Sequence, residues 1–235
     1  MRAAPIGARY WRDEAMLARY VAASTRLTHS DPRAQVGAQA VASVCAWCFQ
    51  RNSMQRPGAD ELIRRLRDCG TDDSEWQELI GGMANALQEG CSVQHYAASL
   101  GQENGVSGYV YRTVPVAVYA WYQHFGSFEE TLSAVLDCGG DTDTAGAIAG
   151  ALAGAAVGDE GIPSRWINGI ADWPRGRKFL YRLADRLCQA SQGKQALPAL
   201  PYFWPAVLPR NVLFLAVVLW HGLRRLLPPY AFGKR

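Results

Sequence analysis

Hydrophobic residues recur at helical spacing along most of the chain, and no two strand-like segments are joined by hairpin turn residues. Apolar residues at every third or fourth position line one face of a helix that packs on a core. No internal repeat or composition shift marks a domain boundary. The pattern therefore predicts an all-α fold, a single compact multi-helix domain over residues 1–235. Helices are predicted over residues 13–23, 32–51, 60–69, 74–88, 108–124, 127–136, 142–157 and 209–227.

Capping signals indicate where several of these helices begin. Asp31 precedes Pro32, and proline is favoured in a first turn because the amide that it lacks has no partner there. Residues 74–77 and 127–130 have the form of a capping box, in which the serine and the Glu or Gln three residues later satisfy free amides.

Two predicted helices carry unusual residues. Segment 108–124 is aromatic and β-branched, which favours a strand, but its length favours a buried helix kinked at Pro115. In segment 142–157, Gly146, Gly150 and Gly154 recur every four residues. Glycine inside a helix costs about 1 kcal/mol relative to alanine, so this stripe predicts a face that a second helix approaches closely.

The end of the chain combines an apolar helix pattern with positive charge. Residues 193–235 read as a proline-rich loop followed by a basic, apolar helix. The longest uninterrupted apolar run, 212–220, is nine residues, whereas a bilayer span needs roughly twenty. A buried helix is therefore expected and a membrane partner is not. A helix lying on a membrane surface is the alternative.

Composition and charge narrow the classes of function. The chain is 49% hydrophobic and 19% charged, which suits a packed core and excludes a disordered chain. No acidic residue follows Asp185, so the last fifty residues carry +7 and the rest −4. No recognisable nucleic-acid module accompanies this basic segment, and no nucleic acid is expected as a partner. Six cysteines without a signal peptide predict reduced thiols and a cytoplasmic location.

The strongest chemical signal is the segment 137–158, DCGGDTDTAGAIAGALAGAAVG. Asp141, Asp143 and Thr144 supply carboxylate and hydroxyl oxygens, the ligands that Mg²⁺ and Mn²⁺ prefer. Gly139 and Gly140 allow the backbone to approach a ligand closely. The alternative is a helix N-terminus with two acidic residues that its dipole favours. A metal site is the favoured interpretation.

Three other groups of residues are weaker candidates. The Asp72–Asp73 pair precedes the helix at 74–88, where a helix dipole attracts negative charge, and is interpreted as structural. Cys45 and Cys48 have redox or zinc spacing but lie inside a helical pattern with no second ligand pair, so core thiols are expected. His29 lies in a polar loop, 28–31, and is either a pocket residue or a structural one.

The string GGDTDTAGAIAGALAGAAVG at 139–158 resembles the signature of the ADP-ribosylglycohydrolase family, which includes the dinitrogenase reductase-activating glycohydrolases. Four other stretches agree with the family in order: MRAAPIG at 1–7, LTHSD at 27–31, SGYV at 107–110 and GIPSRW at 161–166. The resemblance covers residues 1 to about 170.

This resemblance implies an all-α fold and a hydrolase that cleaves the glycosidic bond between ADP-ribose and a protein side chain or small molecule, with two Mg²⁺ or Mn²⁺ ions. It implies that Asp141, Asp143 and Thr144 are metal ligands. It also implies that His29 approaches the bound ADP-ribose and that Tyr109 lines the pocket beside the sugar or adenine. No residue is assigned as catalytic.

The family has a second acidic cluster, of the T-D-D-T type, and a glycine-rich loop before the stretch that matches residues 1–7. Neither is found at that place in this sequence, so the resemblance predicts an amino-terminally truncated chain. The string TDDS at 71–74 has similar letters in a different order along the chain. An impaired hydrolase is expected. The alternative is an inactive paralogue that binds ADP-ribose or a protein partner.

Overall fold

The computed structural model describes residues 1–51, 55–192 and 197–226. Within them the chain forms twelve α-helices and two short 3₁₀ turns, with no β-strand beyond an isolated bridge between Val106 and Gly140. The all-α prediction is confirmed. The helices are α1 (Ala4–Arg9), α2 (Glu14–Arg26), α3 (Pro32–Arg51), α4 (Ala59–Arg67), α5 (Ser74–Glu89), α6 (Val93–Ser99), α7 (Val110–Gln123), α8 (Phe128–Leu136), α9 (Thr142–Val157), α10 (Ser164–Asn168), α11 (Arg177–Gln192) and α12 (Val207–Leu226).

Most of the predicted helices begin and end within a few residues of their predicted bounds. Capping residues explain this agreement, because they determine where a helix begins. At the start of α3, the Asp31 side chain accepts a hydrogen bond from the Arg33 amide at 2.9 Å. At the start of α8, Ser127 accepts one from the Glu130 amide at 3.3 Å. The short helices α1 and α6 were not predicted, because six or seven residues span too few turns to show a periodicity.

Helices α3, α7 and α9 pack on one another at the centre of the core, with α1 and α2 against α3, and α8 against α7 and α9. Helix α7 is the most buried: eleven of its fourteen residues are inaccessible, Pro115 among them. Its aromatic and β-branched residues favour a strand in isolation. They are helical here because a buried helix can place them against neighbours on every side.

The glycine stripe of α9 lies against α8, as predicted. A Cβ atom at Gly146 would lie 3.4 Å from Leu132, and one at Gly150 or Gly154 would lie 3.7–3.8 Å from Phe128. These are ordinary van der Waals distances. The stripe therefore accommodates large side chains of α8 rather than a direct contact between the two backbones.

The chain divides into two compact units, Met1–Ser164 and Arg165–Arg235. The first holds α1 to α9 and the hydrophobic core. In the second, neither α11 nor α12 has a buried residue among those described. The prediction that the C-terminal helix is buried is therefore wrong. The single domain over 1–235 stays a prediction, and residues 193–196 and 227–235 of the predicted loop and helix lie outside the described part.

Helix α5 begins one residue from the predicted cap. Asp73, not Ser74, is its cap, accepting a hydrogen bond from the Trp76 amide at 2.9 Å. The second carboxylate oxygen of Asp73 accepts the Tyr111 hydroxyl of α7 at 2.7 Å. The pKa of Asp73 is lowered mainly by the hydrogen bond from the Trp76 amide and secondly by the one from the Tyr111 hydroxyl. Asp73 therefore starts a helix and ties it to the core.

Replacing Asp73 by Ala should lower the free energy of unfolding by about 1–2 kcal/mol, because the cap and the Tyr111 hydrogen bond are both lost. Asp72→Ala is the matched control: Asp72 is exposed, and its loss should cost less than about 0.5 kcal/mol. Urea unfolding followed by circular dichroism measures both.

The Asp73 contribution also depends on pH. Its pKa is lower in the folded protein than the ordinary value of 3.8, so the stabilisation is complete above that value and is lost as pH falls through the folded pKa. The difference between wild type and Asp73→Ala should therefore be constant near neutral pH and shrink in acid. A difference that grows in acid would contradict this role.

Candidate functional site

Two loops are hydrogen-bonded to each other immediately before α7 and α9. The Val106 amide donates to the Gly139 carbonyl at 3.0 Å, and the Asp141 amide donates to the Val106 carbonyl at 2.7 Å. We call this pairing of residues 105–108 with 138–141 the loop clasp. Because each loop leads directly into a helix, the clasp holds the first turns of α7 and α9 together.

The clasp requires glycine at three positions. Gly105, Gly139 and Gly140 have φ of +116°, +71° and +78°, in the left-handed region where other residues are strained. A Cβ at Gly105 would lie 2.6 Å from the Gly140 nitrogen, and one at Gly140 would overlap the backbone of Val106. Gly139 and Gly140 thus have a structural use. Their contact with a ligand stays a prediction.

The predicted metal ligands occupy the first turn of α9. Asp141 is the N-cap, and its side chain accepts a hydrogen bond from the Thr144 amide at 3.4 Å. A hydrogen bond shared with the Asp143 side chain, and then one from Thr144, lower the pKa of Asp141. A Cβ at Gly108 would lie 2.7 Å from Asp141 Oδ2, so a larger residue at 108 would require this carboxylate to shift.

A cavity of about 610 Å³ in the first unit brings the predicted substrate residues together. His29 and Asp31 line it from the loop between α2 and α3, Gly108 and Tyr109 from the start of α7, and Thr144 from α9. This volume is typical of a small-molecule site. Residues more than one hundred positions apart in sequence therefore share one pocket.

Other predicted site residues lie beside this cavity rather than in its lining. Asp141 adjoins it through its close approach to Gly108 and its hydrogen bond to Thr144. Asp143 is exposed on the same turn of α9. The geometry therefore places the cavity and an acidic helix N-terminus side by side.

A chain of hydrogen bonds that the sequence did not reveal orients His29. The Arg2 guanidinium donates to Thr28 Oγ1 at 2.6 Å and to the Ser24 carbonyl at 2.7 Å. Thr28 Oγ1 lies 2.8 Å from His29 Nδ1. The other acceptor near this hydroxyl, the Thr25 carbonyl, lies further away at 3.5 Å, so donation to Nδ1 is favoured, which leaves the imidazole proton on Nε2. The matching stretch at 1–7 was the only sequence signal for Arg2.

A second network of hydrogen bonds contacts the hydroxyl group of Tyr109. Its hydroxyl donates to Glu75 Oε1 at 3.4 Å, and Arg33 Nε donates to Glu75 Oε2 at 3.0 Å. The pKa of Tyr109 is raised mainly by desolvation and secondly by the negative charge of Glu75. The ring is still 38% exposed, which leaves a face for a ligand. Glu75 and Arg33 carried no sequence signal, since the fold alone brings them to Tyr109.

The oxygen atoms in the first turn of α9 are of the kind that bind a divalent cation. Two carboxylates and a hydroxyl are hard oxygen ligands, and a cation would offset the repulsion of two carboxylates on one helical turn. The described residues contain no group of three or more His, Cys, Asp or Glu side chains placed to hold a metal. Asp141, Asp143 and Thr144 therefore fit one part of an oxygen-ligand site.

The other candidates are structural. Asp73 caps α5, as described above, which agrees with a structural role for the 71–74 string. Cys45 is buried and Cys48 is packed against the core, and burial raises the pKa of each thiol to about 12. Such thiols are poor nucleophiles and poor metal ligands at neutral pH. The prediction of core thiols is confirmed.

This chain is similar to several known proteins. It matches the ADP-ribosylglycohydrolase family over residues 1–197. An uncharacterized protein of Archaeoglobus fulgidus is 34% identical over 187 residues, covering 80% of this chain and 56% of that protein. ADP-ribosylhydrolase ARH3 of Gallus gallus is 24% identical, with 71% and 51% coverage. ADP-ribosyl-[dinitrogen reductase] glycohydrolase of Rhodospirillum rubrum is 26% identical, with 63% and 42% coverage.

The chain spans about half the length of these curated relatives. The family match nevertheless extends over most of the chain, including the loop clasp, the pocket and the first turn of α9. The resemblance inferred from the sequence is thus confirmed. The family match extends to residue 197, whereas the motifs covered residues 1 to about 170. The chain belongs to the ADP-ribosylglycohydrolase family.

Proposed function

We propose that this chain binds ADP-ribose in the cavity beside α9 and hydrolyses the glycosidic bond that joins it to a protein side chain or a small molecule. The observation that carries the proposal is the pocket shared by His29, Tyr109 and Thr144. Family membership and the activities named for the Gallus gallus and Rhodospirillum rubrum relatives support the reaction class.

Two side chains have properties suited to ADP-ribose. The tautomer favoured for His29 presents an N–H group at Nε2, a donor for a phosphate or ribose oxygen. Tyr109 offers a partly exposed aromatic face on which an adenine base can stack, and its contact with Glu75 fixes the ring before the ligand arrives. Binding would therefore require little reorganisation of the protein.

Asp141, Asp143 and Thr144 are the residues that would hold Mg²⁺ or Mn²⁺, and the family resemblance implies two ions. When bound, such ions orient a water molecule and stabilise charge that develops at the breaking glycosidic bond. Asp141 is suited to this role because an aspartate is ionised at neutral pH, as a metal ligand must be. Three protein ligands leave most of an octahedral shell to water, substrate or other ligands.

Asp143→Ala should reduce metal-dependent release of ADP-ribose from ADP-ribosyl-arginine or ADP-ribosyl-serine substrates by about 100-fold or more. Loss of a group that merely orients a metal ligand already costs about 10- to 100-fold, and a direct ligand should cost at least as much. Asp143 is preferred to Asp141 because it is exposed and is not the helix cap.

The matched control is Asp137→Ala, which removes an exposed carboxylate at the C-terminal end of α8. This variant should retain wild-type turnover. Chelation with EDTA should abolish wild-type turnover, and Mg²⁺ or Mn²⁺ should restore it. Hydrolysis that survives both Asp143→Ala and chelation would refute the metal-dependent mechanism. Wild-type binding of ADP-ribose without hydrolysis would favour the inactive paralogue.

His29→Ala should weaken ADP-ribose binding about 10- to 100-fold, the effect of losing a hydrogen bond to a charged group. His95→Ala is the control, since His95 is exposed and lines a different cavity. Thr28→Val should cause a smaller loss, because it removes only the hydroxyl that orients His29, and Thr28→Ser should restore affinity. Isothermal titration calorimetry measures all four. If the His29 and His95 variants bound ADP-ribose with equal affinity, His29 would not be a contact of the ligand.

Tyr109→Ala should weaken ADP-ribose binding about 10- to 100-fold, because stacking of a base on an aromatic ring contributes about 1–3 kcal/mol. Tyr109→Phe keeps the ring and loses only the hydroxyl contact with Glu75, so its affinity should stay close to wild type. If the Phe variant bound as weakly as the Ala variant, the hydroxyl and not the ring would be the ligand contact. The same calorimetric titration distinguishes these outcomes.

A further inference from the structure

The central part of helix α12 is apolar around its whole circumference. Residues 212–220, VLFLAVVLW, contain no polar side chain, and nine residues make two and a half turns of an α-helix. Every side of the central part is therefore hydrophobic. A helix of this kind is stable either in the middle of a protein core or in the hydrocarbon of a membrane.

Within the second unit, the described residues of α12 do not lie in a protein core. None of the residues of α12 is buried, and Leu213, Phe214 and Trp220 are 68%, 60% and 67% exposed. More than two hundred residues precede this helix, so it is not a signal sequence. A continuous exposed surface of this hydrophobicity indicates a site of interaction.

The length and the ends of the helix fit a lipid bilayer. The segment Trp204–Leu226 contains 23 helical residues with a mean hydropathy of 1.6 over its most apolar window. At 1.5 Å per residue it is about 34 Å long, against a hydrocarbon core of about 30 Å. Aromatic residues occur near both ends of α12: Phe203 and Trp204 precede the helix, and Trp220 lies in its last two turns. Aromatic residues are common at membrane interfaces.

The charged residues of α12 are confined to its two ends. Arg210 lies near the start and forms an ion pair with Asp172, while Arg224 and Arg225 lie in the last turn. The uncharged stretch between them, 211–223, is about 20 Å long. Arginine side chains can extend along a helix to reach the headgroup region, which lengthens the effective span.

The rest of the second unit has the charge expected beside anionic lipids. Helix α11 has no buried residue and carries Arg177, Lys178, Arg182 and Arg186. No acidic residue follows Asp185. A basic, amphipathic helix of this type is typical of a membrane surface.

We propose that α12 inserts into the hydrocarbon of a lipid bilayer and anchors the protein to a membrane. A membrane partner was not expected from the sequence, because the uninterrupted apolar run is short. The helix in the structure is longer than that run and exposes it on every side. Insertion is independent of the proposed hydrolase activity, because the inserted residues belong to the second unit and the pocket to the first.

The test is flotation of the full chain with vesicles of phosphatidylcholine, and with vesicles that also contain phosphatidylglycerol. The wild-type chain should float with both and should remain bound after washes in high salt and in alkaline carbonate, which remove proteins held only by charge. The double variant Leu215→Arg, Val218→Arg should lower the bound fraction at least about tenfold, because two charges would enter the hydrocarbon. Both residues are exposed, so the first unit should stay folded.

The matched control exchanges the same residues without adding charge: Leu215→Val with Val218→Leu should float as wild type does. Brominated lipids provide a second measurement. They should quench tryptophan fluorescence in the wild-type chain, and less in Trp220→Phe, which should still float. Arg224→Gln with Arg225→Gln should weaken binding to the anionic vesicles only.

Three results would overturn the proposal. The first is a wild-type chain that stays at the bottom of the gradient with both vesicles. The second is a Leu215→Arg, Val218→Arg variant that floats as well as wild type. The third is a dimer in light scattering that this variant dissociates while vesicles bind neither form, which would show that a second copy covers α12.

Discussion

The candidate site depends on the loop clasp, a pair of backbone hydrogen bonds between two loops that lie more than thirty residues apart. It forms only because Gly105, Gly139 and Gly140 adopt positive φ values and leave no side chain between the two backbones. The clasp fixes the start of α7 beside the start of α9. Tyr109, which follows one loop, and Asp141, which ends the other, are thereby brought to the same face of the protein.

The polar network around the site extends this constraint into the core. Glu75 of α5 holds Tyr109, and Asp73, which caps α5, holds Tyr111 two residues further along the chain, in the buried helix α7. Tyr109, which lines the pocket, is thus supported by side chains that do not line it. Such supporting contacts keep a binding site close to its bound geometry and reduce the cost of ordering it.

Much of the fold could be predicted from local sequence, because helix starts depend on a few neighbouring atoms. The caps at Asp31 and Ser127 and the bounds of α9 agree with the structure for this reason. Local rules failed where competing groups were equally suitable, as at Asp73 and Ser74, and where a helix was too short for its period to be seen. The candidate metal ligands could be proposed from the sequence because Asp141, Asp143 and Thr144 lie within a single helical turn.

The sequence by itself therefore determined the all-α class, most helix bounds, the acidic first turn of α9 and the family, since each is recorded in a short, continuous string. Only the tertiary structure decided which distant residues share the pocket, since the contacts of Arg2 with Thr28 and of Glu75 with Tyr109 join residues with no common local pattern. It also decided the environment of α12. An apolar helix has the same sequence whether a core covers it or not, and only the packing within the second unit shows that its hydrophobic surface is exposed there.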